Sequence, residues 1–287
     1  MVNIIVESFF DKKTNAVSYV VFSKDSRAGI IIDPILDLNI ENFSIKTKSA
    51  DNILNFINKN NIKIYWILET HIHADHLTAA KYLKYKTGGS IAISCNVIEV
   101  QKRLVSVFNL YKNSSLDGSQ FDYLIKDNDV FHAKDITIKA IQTEGHTPTC
   151  LTYIIEKNLF TGDTLLMPDF GTARTDFPGG NAATLYDSIK RIYKLDQNMS
   201  LYTCHDYGPN GRTYSWKSSL IDHIENNIHL NKNTSKSSYI KFREERDKEL
   251  PLPKLFFPSI QINLNGGKLP NKESNGIRYI NFPINYF

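Results

Sequence analysis

The sequence lacks the features that mark a membrane protein or a nucleic-acid-binding protein. None of its apolar runs approaches the roughly 18 residues that a bilayer-spanning helix needs. Lys and Arg number 34 against 30 for Asp and Glu, and both signs are mixed along the 287 residues. This small excess does not indicate a polyanion-binding surface. We therefore expect neither a membrane nor a nucleic acid as a partner.

Cysteine is also scarce, and its distribution argues against a disulfide framework. Cys95, Cys150 and Cys204 are an odd number, lie far apart and form no CxxC pair. The first 23 residues alternate like strands and lack the basic start, apolar block and cleavage site of a secretory signal. These patterns predict reduced thiols in a cytoplasmic protein.

The apolar content, 41% of the chain, is enough for a sizeable core. In the first half the patterns predict strands in VNIIVES, SYVVFS, AGIIIDP, KIYWILET and SIAISC, with helices in SADNILNFINKN, after HADHLTAA and over Val97–Tyr111. In the second half they predict strands in DITIKAIQTEG, CLTYIIE, NLFTGD and MSLYTCHD, with helices in GNAATLYDSIKRIYKL and SWKSSLIDHIENNIHL. Strands and helices in both halves indicate an α/β or α+β sandwich.

The composition changes near residue 231 towards Lys, Asn, Ser and mixed charge. We therefore expect a sandwich domain over residues 1–230 and a helical extension with proline breaks over residues 231–287, packed on the same domain.

The strongest local signal is the run from His71 to His76, which directly follows the apolar strand KIYWILE. Its metal-capable members are His71, His73, Asp75 and His76. Four such side chains within six residues cannot all face one way on a strand or a helix, so they fit a loop that wraps around a metal ion.

Further candidate ligands stand where other strands end. Asp33 ends GIII, His146 follows DITIKAIQTEG, Asp163 follows NLFTG and His205 ends SLYTC. Because α/β sheets place their sites at the carboxyl ends of strands, we expect these residues to converge. A single His or Asp at a strand end is usually a cap or a surface group, and that interpretation is kept for His132, His223 and His229.

The ordered set of HxHxDH, Gly-His-Thr, Gly-Asp-Thr and a late Cys-His-Asp resembles the metallo-β-lactamase superfamily over roughly residues 1 to 230. The resemblance implies an α+β fold, the αβ/βα four-layer sandwich, in which two facing mixed sheets are flanked by helices. In its dinuclear zinc form, His71, His73 and His146 would hold one metal ion, Asp75, His76 and His205 the other, and Asp163 would bridge them. Asp33 would hold the metal loop by hydrogen bonds.

The segments Ala173–Phe177, THIHADHLTAA, GHTPTCLTY, CHDYGPNGRTYSW and FFPSIQINLNGGKLP resemble the persulfide dioxygenases, including bacterial members named β-lactamase-like hydrolases. This resemblance implies one Fe(II) per chain, bound by His71, His146 and Asp163. The run GTARTDF departs from the mitochondrial form, which has a cysteine and a glycine before the Arg, and this fits the bacterial branch.

Two side chains are candidates for substrate binding. Arg174 has a planar fork that suits a carboxylate of glutathione, although it could instead pair with Asp176. Tyr207 resembles a substrate-facing tyrosine and could hydrogen-bond sulfur, although it could equally be a packed aromatic. Arg212 is a weaker candidate, and Cys150 and Cys204 fit small buried thiols better than reactive ones.

We therefore predict an iron-dependent dioxygenase that oxidises glutathione persulfide, or a similar small persulfide, with O₂ to sulfite and thiol. A facial triad of two His and one carboxylate leaves room on iron for both sulfur and O₂. The alternative is a hydrolase of glutathione thioesters with two Zn(II) per chain, resembling glyoxalase II. A metal-dependent sensor without turnover has no support in the intact ligand set. The resemblance further implies a homo-oligomer, either a dimer or a tetramer.

Overall fold

The computed structural model describes residues 2–110 and 115–286. Its strands, in chain order, are β1 Ile4–Asp11, β2 Ala16–Ser23, β3 Ala28–Ile32, β4 Ile35–Asn39, β5 Ser44–Lys46, β6 Lys63–Leu68, β7 Leu77–Thr78, β8 Ser90–Ser94, β9 Tyr123–Ile125, β10 Val130–Ala133, β11 Ile136–Gln142, β12 Leu151–Ile155, β13 Asn158–Phe160, β14 Ser200–Tyr202 and β15 Lys217–Ser219. Its helices are α1 Lys48–Lys59, α2 Ala80–Thr87, α3 Val97–Phe108, α4 Ala182–Ile192, α5 Leu220–Asn226, α6 Lys236–Asp247 and α7 Phe256–Asn263. None of these helices has both the length and the apolar character needed to span a bilayer.

Two six-stranded sheets form the centre of the fold. The first has the order β1-β2-β3-β6-β8-β9, antiparallel from β1 to β3 and parallel from β3 to β9. The second has the order β10-β11-β12-β13-β14-β15, in which only β13 and β14 are parallel. A small third sheet, β5-β4-β7, lies beside them.

Strand β2 shows why strands of the first sheet are continuous apolar runs in the sequence. All eight of its residues are buried. Val17, Tyr19 and Val21 pack in the cluster between the two sheets, whereas Val20 and Phe22 pack beneath the helices. Successive strand residues point to opposite faces, so a strand covered on both sides is apolar throughout.

The remaining clusters complete four layers. One lies between the first sheet and α1, α2 and α3, and it also receives residues of α7. Another lies between the second sheet and α4, α5 and α6. The order helix, sheet, sheet, helix is the predicted αβ/βα sandwich of the α+β class, and the fold prediction is confirmed.

Some predicted elements differ in extent. The helix expected over SWKSSLIDHIENNIHL is only Leu220–Asn226, because Lys217–Ser219 pairs with β14 as an edge strand and the Ser219 hydroxyl caps the helix at Asp222 N. Helix α3 ends at Phe108, and Tyr111, the predicted end, lies outside the described residues.

The region beyond residue 230 contains α6 and α7, separated by a segment with two prolines, Pro251 and Pro253, while residues 264–286 hold no helix or strand. Helix α6 packs on α4, where the rings of Tyr239 and Tyr186 lie 5.8 Å apart. The boundary between a domain over residues 1–230 and an extension over residues 231–287 stays a prediction.

Candidate metal centre

The predicted ligands meet at one edge of the sandwich. Asp33 follows β3, the metal loop of residues 69–76 joins β6 to β7, and the remaining ligands follow strands of the second sheet. His146 comes after β11, Asp163 after β13 and His205 after β14, where Ala16 forms a β-bridge with His205. The five segments therefore come from both sheets.

One group consists of His71, His146 and Asp163, whose ligand atoms all lie within 4.8 Å of one another. Asp163 Oδ2 is 3.8 Å from His71 Nε2 and 3.6 Å from His146 Nε2. Two atoms that each lie about 2.1 Å from one ion are at most about 4.2 Å apart, so these separations suit a shared metal ion.

Hydrogen bonds fix the tautomers of the two histidines. His146 Nδ1 is 2.7 Å from the carbonyl oxygen of Arg174, which can only accept, so Nδ1 carries the proton. His71 Nδ1 is 3.0 Å from Thr70 Oγ1, whose own hydrogen is donated to Asp33 Oδ2 at 2.8 Å. Both Nε2 atoms are therefore left with a lone pair towards Asp163, as a metal ligand requires.

The buried polar atoms of this group support a metal ion. His71 Nε2 and Asp163 Oδ1 are inaccessible to solvent and have no hydrogen-bond partner among the described residues. Burial, followed by the neighbouring imidazoles His73 and His146, holds the pKa of His71 well below its usual value, so His71 is neutral. A buried group without a partner costs about 1–3 kcal/mol, a cost that a bound cation removes. The donor set fits either Fe(II) or Zn(II).

A second group lies on the other side of Asp163. His205 Nε2 is 3.2 Å from Asp75 Oδ2 and 3.6 Å from Asp163 Oδ1, and His76 Nδ1 is 3.3 Å from Asp75 Oδ1. Burial opposes a charge on His205, but Asp75 and Asp163 raise its pKa well above the usual value. The two oxygens of Asp163 thus face different histidines, which is the arrangement expected of a bridging carboxylate.

His73 contacts two carboxylates, Asp33 and Glu69, that belong to neither of these groups. Its Nε2 lies 3.0 Å from Asp33 Oδ1 and 3.4 Å from Glu69 Oε2. Burial opposes its charged form, and Asp33 raises its pKa well above the usual value. Its Nδ1 is buried without a partner and lies on the side of Asp75 and His76.

Asp33 makes the contacts that its predicted role requires. Its carboxylate accepts from Thr70 N at 2.7 Å, from the Thr70 hydroxyl and from His73. Its backbone has φ of 48°, a left-handed conformation that Asp adopts more readily than most residues. Asp33 therefore does not continue the extended backbone of strand β3, which ends at Ile32.

The glycines of the two Gly-x-Thr motifs leave room for neighbouring chain. A Cβ at Gly162, where φ is +52°, would lie 2.5 Å from Thr70 Oγ1 and 3.4 Å from His71 Nδ1. A Cβ at Gly145, where φ is +131°, would lie 2.3 Å from the backbone nitrogen of Leu185. Both positions therefore require glycine.

A cavity of about 740 Å³ opens over the centre, with Asp75, His146 and Asp163 at its wall. Residues 250–255 and the rings of Phe170 and Tyr207 line it further. Lys13, Arg246 and Lys254 also line it, and none of these cations forms an ion pair with a described residue. The cavity suits a small anionic molecule with an apolar part.

Arg174 lines the same cavity, but most of its donors are already engaged. Nε and an Nη bond both oxygens of Asp176 at 2.6 and 2.5 Å, and the Nη atoms also donate to the carbonyls of Leu250 and Pro251. The guanidinium lies over the ring of Phe177. The structure thus contains the ion pair that was the alternative interpretation, and contact with substrate stays a prediction.

Tyr207 lies at the cavity wall with 42% of its surface exposed, and its ring stacks on Phe170 and on His205.

Arg212 lies outside the cavity lining and pairs with Asp169 and Asp206. The thiols of Cys150 and Cys204 are buried, and burial raises the pKa of Cys150 to about 12. They therefore behave as small packed groups.

The three remaining histidines take no part in the centre. His132 is exposed, His223 bonds Ser218, and His229 accepts from Thr172 N. The sequence patterns did not identify Glu69, Thr70 or Asn263. Glu69 and Thr70 belong to the metal loop and bond Thr78 and Asp33, and Asn263 donates to the loop carbonyl of His73. Glu69 and Thr70 directly precede the HxHxDH run, so their position in the sequence indicates a role in the metal loop. No local sequence pattern identifies Asn263.

Comparison with known proteins agrees with this geometry. The family model described as "Metallo-beta-lactamase superfamily" matches residues 12–201. A probable metallo-hydrolase of Burkholderia pseudomallei is 41% identical over 97% of this chain and 98% of its own length. A β-lactamase hydrolase-like protein of Xylella fastidiosa is 42% identical over 98% of this chain, which spans only 64% of that relative.

More distant similarity extends to persulfide dioxygenases. The mitochondrial persulfide dioxygenase ETHE1 of Bos taurus is 28% identical over 71% of this chain and 69% of its own length. The crystal structure of ETHE1 from Myxococcus xanthus superposes with a TM-score of 0.74 at 25% identity, covering 92% of this chain and 100% of that chain.

Proposed function

The chain belongs to the metallo-β-lactamase superfamily, whose members are metal-dependent enzymes, and from that premise we propose that it is an Fe(II)-dependent persulfide dioxygenase. Its substrate is glutathione persulfide or a similar low-molecular-weight persulfide. The observation that carries the proposal is the group of His71, His146 and Asp163, two imidazole nitrogens and one carboxylate beside an open cavity. The similarity to persulfide dioxygenases supports the same choice.

The three ligands would hold one Fe(II) ion. When bound, iron with two His and one carboxylate keeps positions open for sulfur and O₂ and mediates electron transfer between them. The net reaction converts a persulfide, O₂ and water into thiol, sulfite and two protons. The chain's part is to hold both histidine Nε2 atoms unprotonated, through Arg174 O and Thr70 Oγ1.

The cavity residues would orient the persulfide. Burial raises the pKa of Tyr207 to about 12, so its hydroxyl stays protonated at neutral pH and can donate to a sulfur anion. Lys13, Arg246 and Lys254, together with Arg174, offer cations to the two carboxylates of glutathione. Phe170 and residues 250–255 cover the thiol stem and restrict water.

The second candidate is a hydrolase of glutathione thioesters with two Zn(II) ions. Two observations favour it: Asp75 lies 3.3 Å from His76 and 3.2 Å from His205, and the more similar relatives have hydrolase names. Dinuclear hydrolysis needs both groups filled so that two ions hold a hydroxide between them. In the dioxygenase these three residues would instead surround the single iron site.

One comparison separates the two candidates. Protein freed of metal under anaerobic conditions is reloaded with Fe(II) or with Zn(II), and each sample is given glutathione persulfide and a glutathione thioester. We expect oxygen uptake only with Fe(II) and persulfide. No oxygen uptake by the iron-loaded sample, with thioester hydrolysis by the zinc-loaded one, would contradict the proposal.

Variants connect the activity to the centre. His71→Ala and Asp163→Ala should each abolish oxygen uptake, because either change removes a ligand. His132→Ala is the matched control, since His132 is an exposed histidine on β10. Its activity should equal that of the unchanged protein.

A further inference from the structure

The backbone of the metal loop is held by a side chain almost 190 residues away. Asn263, the last residue of α7, donates from Nδ2 to the carbonyls of His73 and His76, at 2.8 Å each. Its Oδ1 accepts from Thr78 N at 2.9 Å. Asn263 is 2% exposed, so all three bonds lie away from solvent.

We propose that Asn263 is a positioning residue that sets the metal loop for metal binding. The two carbonyls bracket the stretch that carries Asp75, and they belong to two of the predicted ligands, His73 and His76. One rigid amide on both carbonyls fixes their separation, and with it the direction of the side chains between them. This inference rests on the metal centre of the proposed function and not on which reaction that centre performs.

The chemistry of the contact requires an amide. Both amide hydrogens and the amide oxygen of Asn263 are used, so no polar atom of the side chain is left over. A carboxyl group at this position could donate to one carbonyl at most, and an apolar side chain would leave both carbonyls buried without a donor. Each such loss costs about 1–3 kcal/mol.

Helix α7 supplies a firm base for this contact. Ile260, Ile262 and Leu264 are buried in the cluster beneath the first sheet. Gln101 Nε2 donates to the carbonyl of Leu264, and Gln261 exchanges two hydrogen bonds with the backbone of Asn281. The amide is therefore presented by a packed element rather than by a free tail.

The Asn263 contacts and the Asp33 contacts fix different parts of the loop. Asp33 holds Thr70 and the imidazole of His73, whereas Asn263 holds the carbonyls of His73 and His76 and the amide of Thr78. Between Thr70 and His73 in the loop, Ile72 N donates to the Thr149 hydroxyl. Loss of Asn263 should therefore disturb the Asp75–His76 side of the centre most.

The test measures metal binding directly. Asn263→Asp keeps the volume and the acceptor for Thr78 N but removes the paired donors, and Asn263→Ala removes all three bonds. Affinity for Co(II) and Zn(II) is measured by competition with a chromophoric chelator, and the visible absorption of bound Co(II) reports ligand geometry. We expect affinity to fall roughly 10- to 100-fold and the Co(II) spectrum to change.

Asn265→Ala is the matched control, because among the described residues the Asn265 amide donates only to Gln261 O, at the same helix end. It should keep the affinity and the spectrum of the unchanged protein. Urea unfolding of the metal-free variants separates a positioning role from a purely structural one. Unchanged affinity and spectrum in a folded Asn263→Asp protein, or failure of both Asn263 variants to fold, would overturn the proposal. Neither readout depends on oxygen uptake or hydrolysis.

Discussion

Thr70→Val is a direct test of how the surroundings of the centre set the state of its ligands. Valine keeps the shape of threonine and removes only the hydroxyl. In the folded protein that hydroxyl donates to Asp33 Oδ2 at 2.8 Å and receives the Nδ1 hydrogen of His71 at 3.0 Å. Thr70 is 1% exposed, so water cannot replace either bond.

The magnitude follows from these two bonds. A hydrogen bond to a charged group contributes about 1.5–3 kcal/mol, and an Nδ1 hydrogen left without an acceptor costs about 1–3 kcal/mol. The imidazole can avoid the second cost by moving its proton to Nε2, but that atom then loses the lone pair that a metal needs. We therefore expect the metal-free protein to lose about 1.5–3 kcal/mol in unfolding free energy if the proton moves, and up to about 6 kcal/mol if it does not. Metal affinity should fall roughly 10- to 100-fold.

The assay pairs urea unfolding of the metal-free protein with chelator competition for the metal. Thr152→Val is the control, because its buried hydroxyl bonds only the neutral hydroxyl of Thr143. That change should cost about 1 kcal/mol and leave metal affinity as it was. Equal losses of stability and equal metal affinities in the two variants would refute the reasoning.

Three further predictions concern the cavity, acid stability and metal removal. Arg174→Ala should raise KM for the persulfide roughly tenfold with a smaller effect on kcat, measured by initial oxygen uptake; an unchanged KM with a large loss of stability would leave Arg174 a purely structural residue. Burial lowers the pKa of His223 to about 4. Between pH 6.5 and 4, His223 is therefore protonated in the unfolded chain but neutral in the folded one. The contribution of His223 to the unfolding free energy is therefore fully present above pH 6.5 and is lost as the pH falls towards 4. In urea titrations across this range, His223→Gln should reduce that loss by up to roughly 3 kcal/mol. An unaltered dependence of the unfolding free energy on pH would contradict this prediction. Metal at 100 times its Kd should add about 2.7 kcal/mol to the unfolding free energy, a gain that His71→Ala should abolish if the ion binds where we propose.

The order of motifs along the chain predicted the fold through the resemblance to the superfamily, and their positions at strand ends predicted that the candidate ligands converge. The candidate ligands lie in the loops that follow predicted strands, and strands of a sandwich bring such ends to one edge. Asp163 comes three residues after Phe160, and Asp33, which holds the metal loop, directly follows the apolar run that ends at Ile32. Local patterns suffice when the element that places a residue lies directly beside it in the sequence.

Contacts between distant segments were beyond local patterns. Asn263 reaches the carbonyls of residues 187 and 190 positions earlier, and its own helix has no feature that indicates this partner. Helix α5 illustrates the same limit, because the pattern of an amphipathic helix extended over residues that pair with β14 as an edge strand. Tertiary pairing overrides propensity in short segments.

Several expectations remain predictions. They are a dimer or tetramer, a cytoplasmic location, the boundary at residue 230 and the carrier thiol of the persulfide. The substrate contacts of Arg174 and Tyr207 belong with them, because packed neighbours already hold both side chains.

The central claim, that this centre inserts oxygen into a persulfide, is tested most directly by stoichiometry. Iron-loaded protein is given glutathione persulfide in a sealed oxygen electrode, and sulfite is measured in the same sample. We predict one sulfite formed for each O₂ consumed, with Asp163→Ala forming none above the uncatalysed rate. Sulfite formation by the iron-loaded protein at no more than the uncatalysed rate, or oxygen uptake without matching sulfite, would contradict the account.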